Sequence, residues 1–242
     1  MAPTARNARP LAIALVGADG SGKTTQAHRL ADALTASGLH AHYRRNAGGR
    51  HWFGKLAVRL GRADGDDLLG RRAMLLVESV LRWLAILRTL LRRTVTRETV
   101  VMDRYAYCQY ASLRARGAHP AAERIARLAY RLFPRPDVTF LLTVDPAAAH
   151  DRIEARGYDT ETMEYLRAAA GAYRSLPEYP GFVVIDANGT PDQVHAKIVA
   201  ELHRRAALPA PRRPRVVRTM LLAGGPLLAA AVALGYQLAE GF

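Results

Sequence analysis

Cysteine is almost absent from this 242-residue chain, because Cys108 is the only one. An internal disulfide is therefore excluded, and the composition fits a reducing compartment better than a disulfide-stapled secreted domain. The first residues lack the apolar stretch of a signal peptide, and no internal repeat or low-complexity block occurs. With half of its residues hydrophobic, the chain is long enough to bury the core of one α/β domain.

Acidic residues are also scarce, since 21 Asp and Glu stand against 35 Lys and Arg and give a net charge of +14. Lysine occurs only at Lys23, Lys55 and Lys197, so arginine carries most of the excess. Such a balance suits phosphate-bearing ligands, nucleic acid or an anionic membrane, although a genomic preference for arginine codons gives the same composition. No nucleic-acid-binding motif accompanies the charge, so we expect no nucleic-acid partner.

Charged side chains are missing altogether from residues 219–239. At about 1.5 Å per residue, this segment is long enough to cross a hydrocarbon core of roughly 30 Å. A Pro/Arg-rich linker, residues 208–218, precedes it, and its arginines favour a cytoplasmic location for the domain before it. The sequence thus predicts a transmembrane helix that anchors the protein to a membrane. An Ala/Leu-rich helix docked on the domain, or a disordered tail, is the alternative.

Residues 11–25 read LAIALVGADGSGKTT, in which an apolar strand runs into a glycine-rich turn and then a helix. This is the P-loop pattern G-x-x-x-x-G-K-[ST], whose backbone N–H groups surround the phosphates of a nucleotide. Lys23 is expected to reach the β- and γ-phosphates of ATP, and Thr24 to hold Mg²⁺. The predicted cofactor-binding residues are Gly17, Asp19, Gly20, Ser21, Gly22, Lys23, Thr24 and Thr25.

Strand-like and helix-like segments alternate after this loop, which predicts a parallel sheet covered by helices on both faces. The expected fold is a three-layer α/β/α P-loop NTPase with a five-stranded parallel sheet, plus the hydrophobic C-terminal helix. We place an arm at residues 1–10 and the domain at residues 11–207. Ligands of such sheets bind at the carboxyl ends of the strands, where the P-loop, Asp103 and Asp145 all fall.

The segment TVVMDRYAYCQYAS suggests what kind of P-loop protein this is. Asp103 ends a hydrophobic strand, the position of a carboxylate that holds Mg²⁺ beside the nucleotide. Arg104 follows directly and offers a planar, bidentate donor for a second phosphate. A structural ion pair at a strand end is the simpler interpretation of the same two residues.

In these motifs the chain resembles the thymidylate kinase family. GADGSGKTT (residues 17–25) and DRY (residues 103–105) match two elements of that family. LLTVDPAAAHDRIEARGYD (residues 141–159) is similar to its strand, Asp-Pro and arginine-bearing lid, and residues 173–194 to its closing strand. The resemblance covers residues 11 to about 203. It implies transfer of the ATP γ-phosphate to a deoxynucleoside monophosphate with Mg²⁺.

The resemblance also implies roles for individual residues. Asp19 would lie near the phosphate or 3′-hydroxyl of the acceptor, and Arg104 would bind the acceptor phosphate. Arg152 and Arg156 would close over the transferring group, with Lys23 and Arg104 as further catalytic residues. The predicted acceptor-binding residues are Asp19, Arg45, Asp103, Arg104 and Gln109, and the predicted metal ligands are Thr24 and Asp103.

The chain departs from the family pattern on the acceptor side. The family's R-E-P-G-G-T loop reads here as RNAGGR (residues 45–50), so both the acid and the proline are missing. Arg82 is a shifted candidate for a base-binding arginine, Ser112 replaces a tyrosine, and Asp159-Thr160 replaces an Asp-Arg pair of the lid. The sequence therefore predicts an intact donor site and leaves the choice of base open.

Two other functions remain open from the residues alone. A nucleoside kinase needs a carboxylate after the second strand to deprotonate a hydroxyl, but Asn46 stands there. A membrane-attached ATPase or nucleotide sensor without a small acceptor would explain the altered acceptor loop. The expected partners are ATP, a nucleoside monophosphate and a membrane, and a homodimer is left open.

Overall fold

The computed structural model describes residues 10–62, 65–157 and 161–206. Its five strands are β1 (Ala12–Val16), β2 (Ala41–Arg45), β3 (Thr99–Asp103), β4 (Val138–Thr143) and β5 (Val183–Asp186). They form one sheet in the order β2-β3-β1-β4-β5, and every neighbouring pair is parallel. The predicted five-stranded parallel sheet is confirmed.

Helices connect these strands. The described helices are α1 (Lys23–Ala36), α2 (Arg50–Arg59), α3 (Gly65–Leu69), α4 (Arg71–Thr96), α5 (Ala106–Ala115), α6 (Pro120–Tyr130), α7 (Pro146–Glu154), α8 (Met163–Arg174) and α9 (Pro191–Ala206). A short 3₁₀ turn, Tyr179–Gly181, precedes β5. Residues 66–93, whose apolar spacing predicts one long helix or two, form two helices, α3 and the long α4, and α2 lies in a stretch for which the sequence predicts no helix.

The core has two halves because the central strands alternate their side chains between the two faces of the sheet. Ile13 and Leu15 of β1 are fully buried against α1 and α9. Ala12, Ala14 and Val16 face the other way, toward α4, α5 and α8. Both faces are therefore apolar and covered, as a parallel sheet requires.

The register of the central strands brings two predicted site residues together. Leu15 pairs with Asp103 in β3, and Arg45 of β2 pairs with Asp103 from the other side. The turn after β1 and the end of β3 therefore meet at the carboxyl edge of the sheet. Because β1 lies between β3 and β4, the P-loop that follows β1 lies at the middle of that edge.

The predicted linker and membrane span, residues 208–218 and 219–239, lie outside the described residues, as does most of the predicted N-terminal arm. Within the described ranges, no helix has both the length and the apolar character needed to cross a membrane.

Candidate active site

The P-loop takes a backbone path that its glycines make possible. Gly17, Gly20 and Gly22 have φ angles of 148°, 79° and 84°. A Cβ on Gly17 would lie 2.4 Å from the carbonyl oxygen of Leu142, and one on Gly20 would lie 2.5 Å from that of Ala149. Space and φ angle therefore both require glycine at the first two positions. Gly22 is the N-cap of α1, so the loop leads directly into the unpaired N–H groups of a helix N-terminus.

Lys23 is folded into the loop that it follows. Its Nζ donates to the carbonyl of Ala18 over 2.6 Å and lies 3.7 Å from a carboxylate oxygen of Asp19. Burial, together with the charge of Arg104, lowers the pKa of the Lys23 ammonium, while the Asp19 carboxylate opposes that shift. The predicted cation thus lies inside the P-loop, where a phosphate would replace a backbone carbonyl as its partner.

The structure joins the two predicted metal ligands directly. Thr24 Oγ1 donates to Asp103 Oδ2 over 2.6 Å, and the hydroxyl of Tyr43 donates to the same oxygen over 3.2 Å. Asp103 Oδ1 is buried and accepts no hydrogen bond from any described residue. A buried carboxylate oxygen of this kind, next to a hydroxyl, is the donor set that suits a hard divalent cation. The residues present therefore fit a metal ion at this point.

Arg104 and Asp19 form a second charged pair beside the first. Arg104 Nη2 lies 2.5 Å from Asp19 Oδ1, and each side chain is about a quarter exposed. The Asp19 carboxylate raises the pKa of Arg104. Burial works against the ionisation of Asp19, but the charges of Arg104 and Lys23 hold its pKa below the usual range. Both groups are thus charged, and the guanidinium is reachable from solvent.

The backbone of Arg104 is held in an unusual conformation by its neighbours. Its φ angle of 77° lies in the left-handed region, which non-glycine residues seldom adopt. The Arg104 N–H donates to the carbonyl of Leu15 over 3.0 Å, and the Asn46 side chain donates to the Arg104 carbonyl over 2.9 Å. Asn46 also accepts a hydrogen bond from Thr89. In the sequence Asn46 is notable only for the missing acid, and no local pattern indicates this supporting role.

A buried polar network lies between α4 and α5. Arg82 donates to Gln109 Oε1 over 2.7 Å and to Glu78 over 2.5 Å, while Gln109 donates to Ser79 over 2.7 Å. Arg82 Nε is buried and has no partner among the described residues. The shifted candidate Arg82 is therefore brought to Gln109, and their side chains belong to one buried polar cluster. The sequence indicated neither this pairing nor the part taken by Glu78.

The remaining predicted site residues differ in their position and in their exposure to solvent. Arg152 extends from α7 to the P-loop side of the sheet, donating to the carbonyls of Ala187 and Gly20 over 3.1 and 3.5 Å. Arg156 is exposed just after α7 and donates to the Arg152 carbonyl. Arg45 is exposed at the end of β2. Among the other predicted residues, Ser21 is buried, Thr25 is exposed on α1, and Asp159 and Thr160 lie outside the described ranges.

One further residue supports the loop from below. Tyr173 of α8 is buried, and its hydroxyl donates to the Gly17 carbonyl over 3.0 Å. Burial raises the pKa of Tyr173 well above its ordinary value, so it stays a hydrogen-bond donor. It lies in the segment that resembles the family's closing region, yet nothing in its sequence context distinguishes it from a core tyrosine.

Comparison with known proteins agrees with this geometry. The sequence model of the thymidylate kinase family matches residues 15–198. A thymidylate kinase of Xanthomonas euvesicatoria pv. vesicatoria is 34% identical over 223 residues, which cover 89% of this chain and 95% of that protein. One from Xanthomonas oryzae pv. oryzae is 34% identical over 205 residues, covering 81% and 86%. A probable thymidylate kinase of Pyrobaculum aerophilum matches 44% of this chain at the same identity.

These relatives confirm the resemblance found in the sequence. They give no support to the membrane association or to the homodimer that the sequence left open.

Proposed function

Because this chain belongs to the thymidylate kinase family, we propose that it transfers the γ-phosphate of ATP to the phosphate of dTMP. The observation that carries this function is that two sets of charged side chains lie next to each other at the carboxyl edge of the sheet. Lys23, Thr24 and Asp103 suit the donor phosphates, and the Asp19–Arg104 pair lies directly beside them. Two phosphates held side by side are what this reaction needs.

On the donor side, the loop amides and Lys23 bind the β- and γ-phosphates of ATP. Thr24 and Asp103 hold Mg²⁺, whose contribution when bound is to neutralise charge on the donor phosphates. Support for this assignment comes from the buried, unpartnered Oδ1 of Asp103. Tyr43 fixes the other carboxylate oxygen by its hydrogen bond, so the carboxylate keeps one orientation.

On the acceptor side, the guanidinium of Arg104 binds the phosphate of dTMP. It does so either after leaving its partner Asp19 or while still paired with it. The acceptor phosphate is itself an anionic nucleophile near neutral pH, so no general base is required. Positioning and charge stabilisation suffice for a reaction with this loose, highly charged transition state. Arg152 and Arg156 would add positive charge over the transferring group and help to exclude water.

For the base, we propose that Gln109 and Arg82 read the thymine edge. Thymine offers an N–H donor between two carbonyl acceptors, and a carboxamide next to a guanidinium supplies one acceptor and several donors. The Arg82–Gln109 contact of 2.7 Å fixes the orientation of the Gln109 amide. This pair is buried, and it supplies polar groups for a base where the family's usual element is shifted.

The two alternative functions are less well supported. A nucleoside kinase needs a general base at the end of β2, but the side chain of Asn46 is used in bonds to Arg104 and Thr89. An ATPase or sensor without an acceptor leaves the Asp19–Arg104 pair and the Arg82–Gln109 pair without a purpose.

The test is ADP formation by the purified full chain with ATP, Mg²⁺ and one acceptor at a time: dTMP, dUMP, dCMP, dAMP or thymidine. We expect dTMP to give the highest kcat/KM. Lys23→Ala should lower the rate by about a hundredfold or more. Lys197→Ala, which removes an exposed lysine paired with Asp186, is the matched control and should stay active. Equal ADP release without any acceptor, or faster reaction with thymidine than with dTMP, would contradict the proposal.

A further inference from the structure

Three side chains of the kind that bind transition metals meet at the edge of the sheet, away from the P-loop. His40 directly precedes edge strand β2 and His42 is its second residue, so the two lie two positions apart and project from the same face. Glu98 directly precedes β3, the neighbouring strand. Since Ala41 pairs with Thr99, Glu98 falls beside His40 in the register. One donor atom from each residue lies within 4.8 Å of the others.

The distances match those between ligands of one tetrahedral metal ion. The Nε2 atoms of His40 and His42 are 3.4 Å apart. Two nitrogens bound to Zn²⁺ at 2.0–2.1 Å in tetrahedral geometry are separated by about 3.3 to 3.4 Å. Glu98 Oε2 lies 3.8 Å from His42 Nε2, so a small closing movement brings it to the same spacing. The two rings are perpendicular, with an interplanar angle of 89°, so they do not stack on each other.

The carboxylate of Glu98 is already oriented. Its side chain is 2% exposed, and Arg44 Nη2 lies 2.5 Å from Oε1. Oε1 is thus held by Arg44, while Oε2 faces the histidines. In protein metal sites, a ligating carboxylate is commonly held by a hydrogen bond to one of its oxygens, because that bond sets the direction of the oxygen that binds the metal. His40 is exposed and His42 is half-exposed, so an ion can enter from solvent and keep a water as a further ligand.

We propose that His40, His42 and Glu98 form a binding site for a divalent transition-metal ion of the Zn²⁺ class, separate from the metal that accompanies ATP. Imidazole nitrogens favour Zn²⁺, Ni²⁺ or Cu²⁺, whereas the hydroxyl and carboxylate of Thr24 and Asp103 favour Mg²⁺. The bound ion would link the edge strand to its neighbour. The next residue along β2 is Tyr43, whose hydroxyl contacts Asp103, so the site lies at the base of a strand that also supports the active site.

The direct test is calorimetric titration of the tag-free, chelator-treated full chain with ZnCl₂, in millimolar Mg²⁺ so that sites for hard cations are filled. We expect one high-affinity equivalent, with a Kd in the micromolar range. Tetrahedral coordination would also give Co²⁺ a visible absorption band when it replaces Zn²⁺. At a hundredfold excess of Zn²⁺ over Kd, the thermal midpoint should rise by about 5 °C.

The variants separate this site from other histidines. His42→Ala and Glu98→Gln should each weaken Zn²⁺ binding at least tenfold and abolish the Co²⁺ band. His203→Ala, which removes a histidine on the last turn of α9, should change neither, and circular dichroism verifies that each variant is folded. A folded wild-type chain that binds no stoichiometric Zn²⁺, or that binds it equally well with His42→Ala, would overturn the proposal. Neither result bears on phosphoryl transfer, which the acceptor assay measures independently.

Discussion

At the scale of single residues, Arg104 combines a local cost with a functional position. Its left-handed backbone costs about 1–2 kcal/mol, and the hydrogen bonds of Leu15 and Asn46 to its backbone offset that cost. The result is a guanidinium that points back across the P-loop to Asp19 instead of continuing along the strand. The backbone conformation therefore aims the side chain, whose planar fork is proposed to bind the acceptor phosphate.

Replacing Arg104 by lysine keeps the charge but loses the fork. We expect Arg104→Lys to raise the KM for dTMP about tenfold or more, because a lysine ammonium cannot bind two phosphate oxygens in one plane. The KM for ATP should change less than about threefold. Arg131→Lys, an exposed arginine just after α6, is the matched control. Steady-state kinetics with each substrate varied in turn decides this, and equal rises in both KM values would refute an acceptor role.

Gln109 gives a second prediction at this scale, on base choice. In Gln109→Glu the Arg82 contact survives as an ion pair, but the amide donor is replaced by a carboxylate, which accepts from an amine such as that of cytosine. The ratio of kcat/KM for dTMP to that for dCMP should fall by about 10- to 100-fold. Gln193→Glu, at the exposed start of α9, should leave the ratio unchanged. A loss of activity with the ratio preserved would make Gln109 a structural residue only.

At the scale of elements, the P-loop is shaped by contact with α7 as well as by its own sequence. Gly20 lies so close to α7 that an added Cβ would meet the Cα of Ala149 at 2.8 Å and its carbonyl oxygen at 2.5 Å. Arg152 of the same helix donates to the Gly20 carbonyl. Helix α7, which carries the predicted lid residue Arg152, is therefore packed directly on the P-loop.

Gly20→Ala should separate these two elements. The variant combines a left-handed φ with a backbone clash, so we expect a loss of about 3 kcal/mol or more in the free energy of unfolding, together with weaker ATP binding. Gly117→Ala has a similar φ angle of 64° but open space around the new Cβ, so it should cost only about 1–2 kcal/mol. Urea unfolding and calorimetric ATP titration measure both quantities. Equal costs for the two variants would show that packing against α7 is unimportant.

Elements with strong local signals were predictable from the sequence, and long-range packing was not. The P-loop and the buried strands were found because apolar runs end at glycines or at Asp103. Helix α2 was missed because its start carries no capping signal: the N-cap residue, Gly49, has no side chain that could bond to the helix. A second glycine lies inside the helix and further weakens the helical pattern. Arg82 and Gln109 are 27 residues apart in the sequence, and their contact depends on which face α4 turns toward its neighbours. Hydrophobic periodicity alone does not specify that orientation.

At the scale of the whole molecule, a few carboxylates join separate elements by pairing with arginines. Glu123 of α6 accepts from Arg114 of α5 over 2.6 Å and from Arg127 over 2.7 Å. Arg127 continues to Glu178, beyond α8, and Arg114 to the carbonyl of Ser175. Two acidic residues thus tie α5, α6 and the turn after α8 into one network that pairs four charges.

This network makes the stability of the molecule depend on pH in a definite direction. Hydrogen bonds from Arg114, with smaller effects from Arg127, lower the pKa of Glu123 below its ordinary value of 4.5, although burial opposes them. The folded state therefore holds this proton less tightly than the unfolded state does. The stabilisation is present above about pH 4.5 and is lost as the pH falls through the lowered, folded-state pKa.

Glu123→Gln should therefore lower the free energy of unfolding at pH 7 by about 1–2 kcal/mol, since it weakens the three charged hydrogen bonds that Arg114 and Arg127 donate to this carboxylate. The difference from the wild type should shrink as the pH is lowered from 5 toward 3, because the wild-type carboxylate is then neutralised as well. Asp32→Asn, on the exposed face of α1, changes the net charge by the same amount and is the matched control. Thermal unfolding across this pH range would show two converging curves for Glu123→Gln. A constant offset at every pH would mean that overall charge, and not the network around Glu123, sets the acid sensitivity of the fold.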